Sequence, residues 1–273
     1  MPVDKAREHI RAFLSPVTAV ERLNIRAALG RVLAEDVMSP VNVPQHDNSA
    51  MDGYAVRFAD LQAEGETVLG IIGASFAGKP FTGSLSAGQA VRIMTGAVIP
   101  ADADTVIQQE RAKASADRVS VTPVAKSGTN TRKAGEDLRA GEAALRRGQR
   151  VRAAEIGMMA SLGIGEVAVY RKLRVAFFST GDELVAIGQP LGAGQIYDSN
   201  RYTIYGLLTR LGCEVLDMGV IRDTPQAVER AFQEAAEAAD VVITSGGVSV
   251  GEADYVKQIL DRLGEVLFWK IAM

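Results

Sequence analysis

The sequence predicts a multi-domain α/β protein, made of a three-layer parallel α/β unit, an N-terminal helical and extended region, and a small inserted all-β domain. Three observations carry this prediction. The last third of the chain alternates strand-like and helix-like stretches in strict order. Residues from about Val41 to Val124 show almost no helical period. The 273 residues exceed one average domain, since roughly 150 residues per domain suggests about two. The expected boundaries are 1–42 for the N-terminal region (continued by 135–170), 43–134 for the β insert and 171–273 for the α/β unit.

Composition narrows the function classes. Hydrophobic residues make up 47% and charged residues 23%, the profile of a packed chain rather than a disordered one. A net charge of −3 supplies no basic field for nucleic acid or an acidic membrane. Cys213 is the only cysteine, which excludes an intramolecular disulfide and a cysteine-built metal site. Residues Met1 to Leu14 mix Asp4, Lys5, Arg7, Glu8 and Arg11 with apolar residues, so they are no secretory signal. No apolar run reaches the ~18 residues of a membrane helix. The expectation is a cytoplasmic, multi-domain, soluble protein.

Along the chain, Val3, Ala6, Ile10, Phe13 and Leu14 share one helical face, and Pro16 ends that helix. A shorter helical pattern is expected over Ala27 to Glu35, with Leu29, Val32 and Leu33 on one side. The β insert has strand-like runs at Thr67–Ile72, Ala90–Met94 and Thr105–Gln109, then a hairpin into Arg118–Val121. Ala153–Leu162 is helical again, with Gly163 as C-terminal cap before a strand at Glu166–Tyr170.

The α/β unit opens with the apolar strand Arg174–Phe178. Its first helix carries Ile204, Leu207, Leu208 and Leu211 at helical spacing, and Gly212 stops it. Strand Glu214–Ile221 precedes Thr224-Pro225, an N-cap followed by a first-turn proline. Val228, Ala231, Phe232 and Ala235 stripe the second helix, Asp240–Thr244 is the third strand, and Val256, Ile259, Leu260 and Leu263 stripe the third helix. Val266–Ala272 is expected as a fourth strand. This order implies parallel βαβ units with right-handed crossovers.

Ligands of such sheets bind at the carboxyl ends of the strands. Those ends carry Ser179-Thr180-Gly181-Asp182-Glu183, Arg222-Asp223-Thr224, and the run Ser245-Gly246-Gly247-Val248-Ser249-Val250-Gly251, which opens a helix bearing Asp254; Lys270 falls in the fourth strand. Glycines ahead of a helix expose backbone N–H groups that suit an anion. The same run also reads as an ordinary strand-to-helix loop. Asp182, Glu183, Asp223 and Asp254 would repel an anion there, and Mg²⁺ would resolve the conflict by joining carboxylates to phosphate oxygens. Of these acids, Asp182 best suits a cap or a solvated position.

Elsewhere the local signals are weaker. The polar run from Pro44 to Ala55, the Thr95-Gly96 turn and Gly135-Glu136-Asp137 each read as turns on local grounds. Gly73–Lys79 mimics a phosphate-binding loop, but Pro80 stands where the Mg²⁺-binding Ser or Thr belongs. Gly163-Ile164-Gly165 follows a helix instead of a strand, the wrong order for a dinucleotide fingerprint. His9 and His46 lack zinc-site spacing. Arg146, Arg147, Arg150 and Arg152 read as a solvated face, with contact to an anionic ligand or subunit as the other reading.

Six blocks together, DNSAMDGYAVR, RIMTGAVIPADAD, RKAGEDL, STGDEL, GQIYDSNR and SGGVSVGEADY, closely resemble the molybdopterin molybdenumtransferase family (bacterial MoeA and the E domain of gephyrin). The resemblance runs through essentially the whole chain in the family's order. It implies a homodimeric enzyme that inserts molybdate into adenylated molybdopterin and releases AMP with Mg²⁺ support, with a molybdopterin adenylyltransferase as a further partner. It implies that the α/β unit is the molybdopterin-binding domain and that the β insert faces the partner subunit's cleft. By motif match, Asp52, Thr95, Asp137, Glu183, Asp223 and Asp254 carry over as catalytic, with Asp223, Asp254 and Glu183 as the metal ligands. Ser179, Thr180, Gly181, Asp198, Asn200, Ser245, Gly246, Gly247, Ser249, Gly251 and Lys270 carry over as substrate-binding. Family members continue past the fourth strand into a further loop and a small C-terminal β domain, so the chain reads as truncated, its last strand left uncovered. Two other readings stand beside this one: a non-catalytic scaffold or dimerisation fragment, and a molybdopterin adenylyltransferase sharing the α/β unit.

Overall fold

The structure, a computed structural model, describes residues 1–246, 255–268 and 271–272. It is a multi-domain α/β protein whose elements run as follows. Helix α1 (Val3–Phe13) leads into β1 (Val20–Asn24), then the short β2 (Val37–Met38) and β3 (Asn48–Ser49). The β-rich stretch holds β4 (Gly53–Val56), β5 (Thr67–Ser75), β6 (Gln89–Ile93), β7 (Thr105–Gln108), β8 (Ala112–Ser115) and β9 (Arg118–Val121). After β10 (Thr131–Arg132) and β11 (Ala143–Leu145) come α2 (Ala153–Ser161) and β12 (Glu166–Tyr170). The last part comprises β13 (Arg174–Thr180), β14 (Leu184–Val185), β15 (Ile196–Tyr197), α3 (Ser199–Leu211), β16 (Glu214–Ile221), α4 (Pro225–Ala238), β17 (Val241–Ser245) and α5 (Tyr255–Leu263).

Two compact units divide the chain, one of residues 1–35, 148–156 and 165–273, the other of 36–147 and 157–164. In the first, β13 lies between β16 and β17, parallel to both. Alternation along β13 sends Ala176 and Phe178 to one face, where Val228, Ala231, Phe232 and Ala235 of α4 and Val256 and Ile259 of α5 close the core. Phe178 and Phe232 meet edge to face, with ring centres 5.1 Å apart. Phe177 alternates to the other face, on the side of α3. The caps form as their residue types dictate. Thr224 accepts from the Ala227 amide ahead of Pro225, and Gly212 ends α3 at φ +83.

The second unit is built on a mixed sheet of order β7-β4-β6-β5-β9-β8, in which only β5 and β6 run parallel. Its core has two clusters, one around Tyr54, Leu69, Ile107 and Val119 and one around Ala55, Val91, Ile93 and Val106. Gly53 is required where β4 crosses β7, because a Cβ there would fall 1.9 Å from the Ile107 carbonyl oxygen.

Three expectations need correction. Ala27–Glu35 is no helix. It turns at Gly30 (φ +80) and then runs extended, with the Leu33 amide donating to Gln149 and the Ala34 amide to Ala168. Pairing with two remote segments outweighs a weak local helical period. Of the apolar stripe on α1 only Ala6 is buried, and Phe13 and Leu14 lie exposed. The expected strand Val266–Ala272 forms no ladder among its described residues. Ala272 makes an isolated parallel bridge to Pro2, its amide donating to the Met1 carbonyl at 2.8 Å, so its hydrogen bonding is spent on the N-terminus and not on β17. Among the described residues no helix is long and apolar enough to cross a membrane.

Candidate functional site

Parallel strands deliver their carboxyl ends to one edge, and here the order β16-β13-β17 brings three polar segments there. Ser179 pairs in register with Val220 on one side and Ser245 on the other. Gly246, at φ +95, comes so close to β13 that a Cβ would lie 2.1 Å from the Thr180 carbonyl oxygen. A Cβ on Gly181 would lie 2.7 Å from both carboxylate oxygens of Glu183, so Glu183 folds back over the glycine. Asn200, in the first turn of α3, donates from Nδ2 to Ser245 Oγ at 3.4 Å. Asp198 caps that helix, with Oδ1 accepting from the Arg201 amide at 3.2 Å. Ser179, Thr180, Gly181, Asn200, Ser245 and Gly246 are thus linked through neighbouring strand ends, with Asp198 at the head of the helix that reaches them.

Several polar atoms at this edge are orphaned. Ser179 Oγ, Thr180 Oγ1 and Asp198 Oδ2 are enclosed and have no hydrogen-bond partner among the described residues; Thr244 Oγ1 is in the same state but lies on the α4 and α5 side, beside Phe232, Val242 and Leu260. Ser179 is 0% exposed, and Thr180 and Asp198 are each 3% exposed. Native interiors satisfy nearly all such groups, because an unmade bond there costs about 1–3 kcal/mol.

The acids of the same edge follow β13 and β16. The Asp223 amide donates to Asp182 Oδ1 at 3.3 Å, which ties the two strand-end loops together and gives Asp182 a structural task. Glu183 contributes its carbonyl to the Ile196 amide, and β14 pairs with β15 beside it. Among the described residues no group of three or more His, Cys, Asp or Glu side chains is arranged to hold a metal ion. Hard carboxylate oxygens are nonetheless the donor type Mg²⁺ takes, and it needs only one or two of them beside phosphate oxygens. Gly247, Ser249, Gly251, Asp254 and Lys270 lie outside the described residues.

The second unit carries its own polar cluster. Its hub is the segment from Asp47 to Asp52, held on one side by residues 95–98 and on the other by 130–134. The Ser49 amide donates to Ala97 and the Gly96 amide to Ser49, while β3 pairs with β10. Asp52 Oδ1 accepts both the amide and the hydroxyl of Thr95. These bonds, and Arg92 nearby, hold the Asp52 carboxyl below its usual range. Asp137 accepts from Arg132 Nη2 at 2.6 Å, and Arg132 also grips Glu136. Asp47 accepts the Ala134 amide and Lys133 Nζ, and its carboxyl too is lowered, chiefly by Lys133. Three motifs far apart in sequence therefore meet along the segment 47–52, where Asp52 binds Thr95 and Asn48 pairs with Arg132, the partner of Asp137.

Sequence reasoning missed Arg92, Arg132 and the pair Arg201–Asp217. Arg92 lies over the Tyr54 ring, 5.0 Å from its centre, and donates to Gln109. Arg132 had a signal, since it stands four and five residues before two acids. Arg201 and Asp217 had none, because their pairing depends on where α3 and β16 fall in space.

Residues 1–163 match the family described as "MoeA N-terminal region (domain I and II)", and residues 176–273 match "Probable molybdopterin binding domain". A molybdopterin molybdenumtransferase of Haemophilus influenzae is 48% identical over all of this chain and 67% of its own length. One from Nostoc sp. is 44% identical over 89% of this chain and 57% of its own length. A crystal structure of a MoeA protein from Pyrococcus horikoshii superposes with a TM-score of 0.86 at 35% identity, covering 100% of this chain and 69% of that one. A second structure from that organism gives 0.83 at 31%, covering 90% and 66%. The chain thus spans between about half and two thirds of the length of these relatives.

Proposed function

This chain belongs to the molybdopterin molybdenumtransferase (MoeA) family, and we propose that it carries out the reaction of that name, inserting molybdate into adenylated molybdopterin with release of AMP. The observation that supports this most directly is that the hydroxyls of Ser179 and Thr180, at the end of β13, are enclosed and have no partner among the described residues. The phosphoanhydride joining AMP to the pterin carries non-bridging oxygens that such donors would satisfy. Ser245, steadied by Asn200, adds a third hydroxyl at the same edge. Glu183, which folds over Gly181, would orient water at that bond. Asp223 and Glu183, with Asp254, would hold Mg²⁺, which when bound neutralises phosphate charge and stabilises the departing AMP. Molybdate is a substrate here, a tetrahedral dianion suited to hydroxyl donors such as Ser245, since both donors of Thr95 are already given to Asp52. Asp52 and Asp137, each fixed by a donor partner, complete the assigned catalytic residues. The protein acts on this reading as a cytoplasmic homodimer supplied with adenylated pterin by a molybdopterin adenylyltransferase.

The test is AMP release from adenylated molybdopterin, with molybdate and Mg²⁺ present, by the wild-type chain and by Glu183→Ala and Asp223→Ala. Release by the wild type and its loss in both variants supports the reading. Normal turnover in both variants refutes the assigned roles. ATP consumption independent of molybdate would mark an adenylyltransferase instead.

A further inference from the structure

We infer that Arg201 and Asp217, neither of which touches the strand-end hydroxyls, are a positioning pair that sets the geometry of the nucleotide edge; this rests on the reading of that edge given above. Arg201 Nε donates to Asp217 Oδ1 at 2.6 Å, with Arg201 half-buried and Asp217 at the surface. Asp217 sits where β16 is irregular. Its register with β13 jumps from Phe177–Asp217 to Phe178–Gly219, leaving Met218 as an extra residue in a bulge. The same Asp217 Oδ1 accepts the Gly219 amide at 3.1 Å, and Gly219 takes φ +84 to make that turn.

One carboxylate oxygen therefore serves two masters. It stabilises the bulge that shifts Val220 and Ile221 into register with Ser179 and Thr180, just ahead of Asp223. It also anchors the first turn of α3, since Arg201 follows Asn200 directly and its amide caps onto Asp198. Asn200 reaches Ser245 from that turn by one long hydrogen bond of 3.4 Å, which alone would not hold a helix end in place. A charge-assisted bond of 2.6 Å is the stronger tether. Arg201–Asp217 thus couples β16, α3 and, through Asn200, the end of β17.

Two measurements test this on the 273-residue chain. The first needs no ligand: the side-chain amide resonance of Asn200, identified by its loss in Asn200→Ala. Ser245→Ala should move it, and Arg201→Gln and Asp217→Asn should move it the same way, while Arg201→Lys, which keeps a charged donor, should restore most of the wild-type position. An Asn200 resonance unmoved by Arg201→Gln overturns the pairing's positioning role; if Asp217→Asn does not fold, Arg201→Gln and Arg201→Lys decide alone. The second is calorimetric titration with AMP and Mg²⁺. Arg201→Gln should weaken binding about tenfold, and adding Asn200→Ala should cost little more, because one residue acts through the other. Fully additive losses would make Arg201 a general structural residue and overturn the inference. If the wild type binds no AMP while the resonance behaves as expected, the positioning stands and the nucleotide reading of the edge falls.

Discussion

Thr95 gives both its backbone amide and its hydroxyl to a single oxygen of Asp52, at 2.8 and 2.7 Å. Two donors on one oxygen favour the charged carboxylate, which is why the Asp52 pKa is lowered, first by the amide and then by the hydroxyl. Thr95→Val removes the hydroxyl and keeps the amide. The Asp52 pKa should then rise toward its ordinary value without reaching it, as read from the carboxyl signal in an NMR titration. A pKa identical to that of the wild type would show that the hydroxyl contributes nothing to this carboxylate.

Gly246→Ala tests the closeness of β17 to β13. The added Cβ would meet the backbone oxygen of Thr180 at 2.1 Å, and alanine at φ +95 is strained whatever the space. Since backbone cannot swing aside as a side chain can, the strand ends must part. A destabilisation of at least about 1–3 kcal/mol is expected in denaturant titration, together with loss of AMP binding.

Glu155 supplies a pH dependence with a defined sign. Its carboxylate accepts the Arg152 amide at the start of α2 and pairs with the Arg152 guanidinium, which together bring its pKa down to about 2. An unfolded glutamate titrates near roughly 4.3. The stability it adds is therefore complete above that pH and is lost as pH falls toward 2. Glu155→Gln should be less stable than wild type at pH 7, and the gap should narrow steadily below about pH 4.3. A gap that stays constant down to pH 2.5 would refute the assignment.

Phe232→Ala and Leu207→Ala should separate two helical stripes that look alike on paper. Phe232 is buried against Phe178, so its truncation should cost about 3–5 kcal/mol. Leu207 is 49% exposed, and its loss should stay within about 0.5 kcal/mol. Thermal denaturation of the two variants checks both values.

What the sequence determined alone is whatever depends on near neighbours along the chain. The stripe Val228-Ala231-Phe232-Ala235 repeats at 3.6 residues and proves to be the buried face of α4, the runs at Glu166–Tyr170 and Glu214–Ile221 are strands to the residue, and Thr224-Pro225 and Gly212 begin and end helices where such residues must. The residue blocks that mark the family were legible for the same reason, as each is contiguous. Tertiary structure decided what depends on which remote segments meet. It drew Ala27–Glu35 out of a helix and into pairing with Gln149 and Ala168, left Leu207 and Leu211 of a perfect-looking stripe in solvent, and tied Arg201 to Asp217. It also left the hydroxyls of Ser179, Thr180 and Thr244 enclosed without partners among the described residues. Periodicity is a property of one segment turning about its own axis, whereas a hydrogen bond made or unmade across strands is a property of two segments whose distance in sequence says nothing of their distance in space.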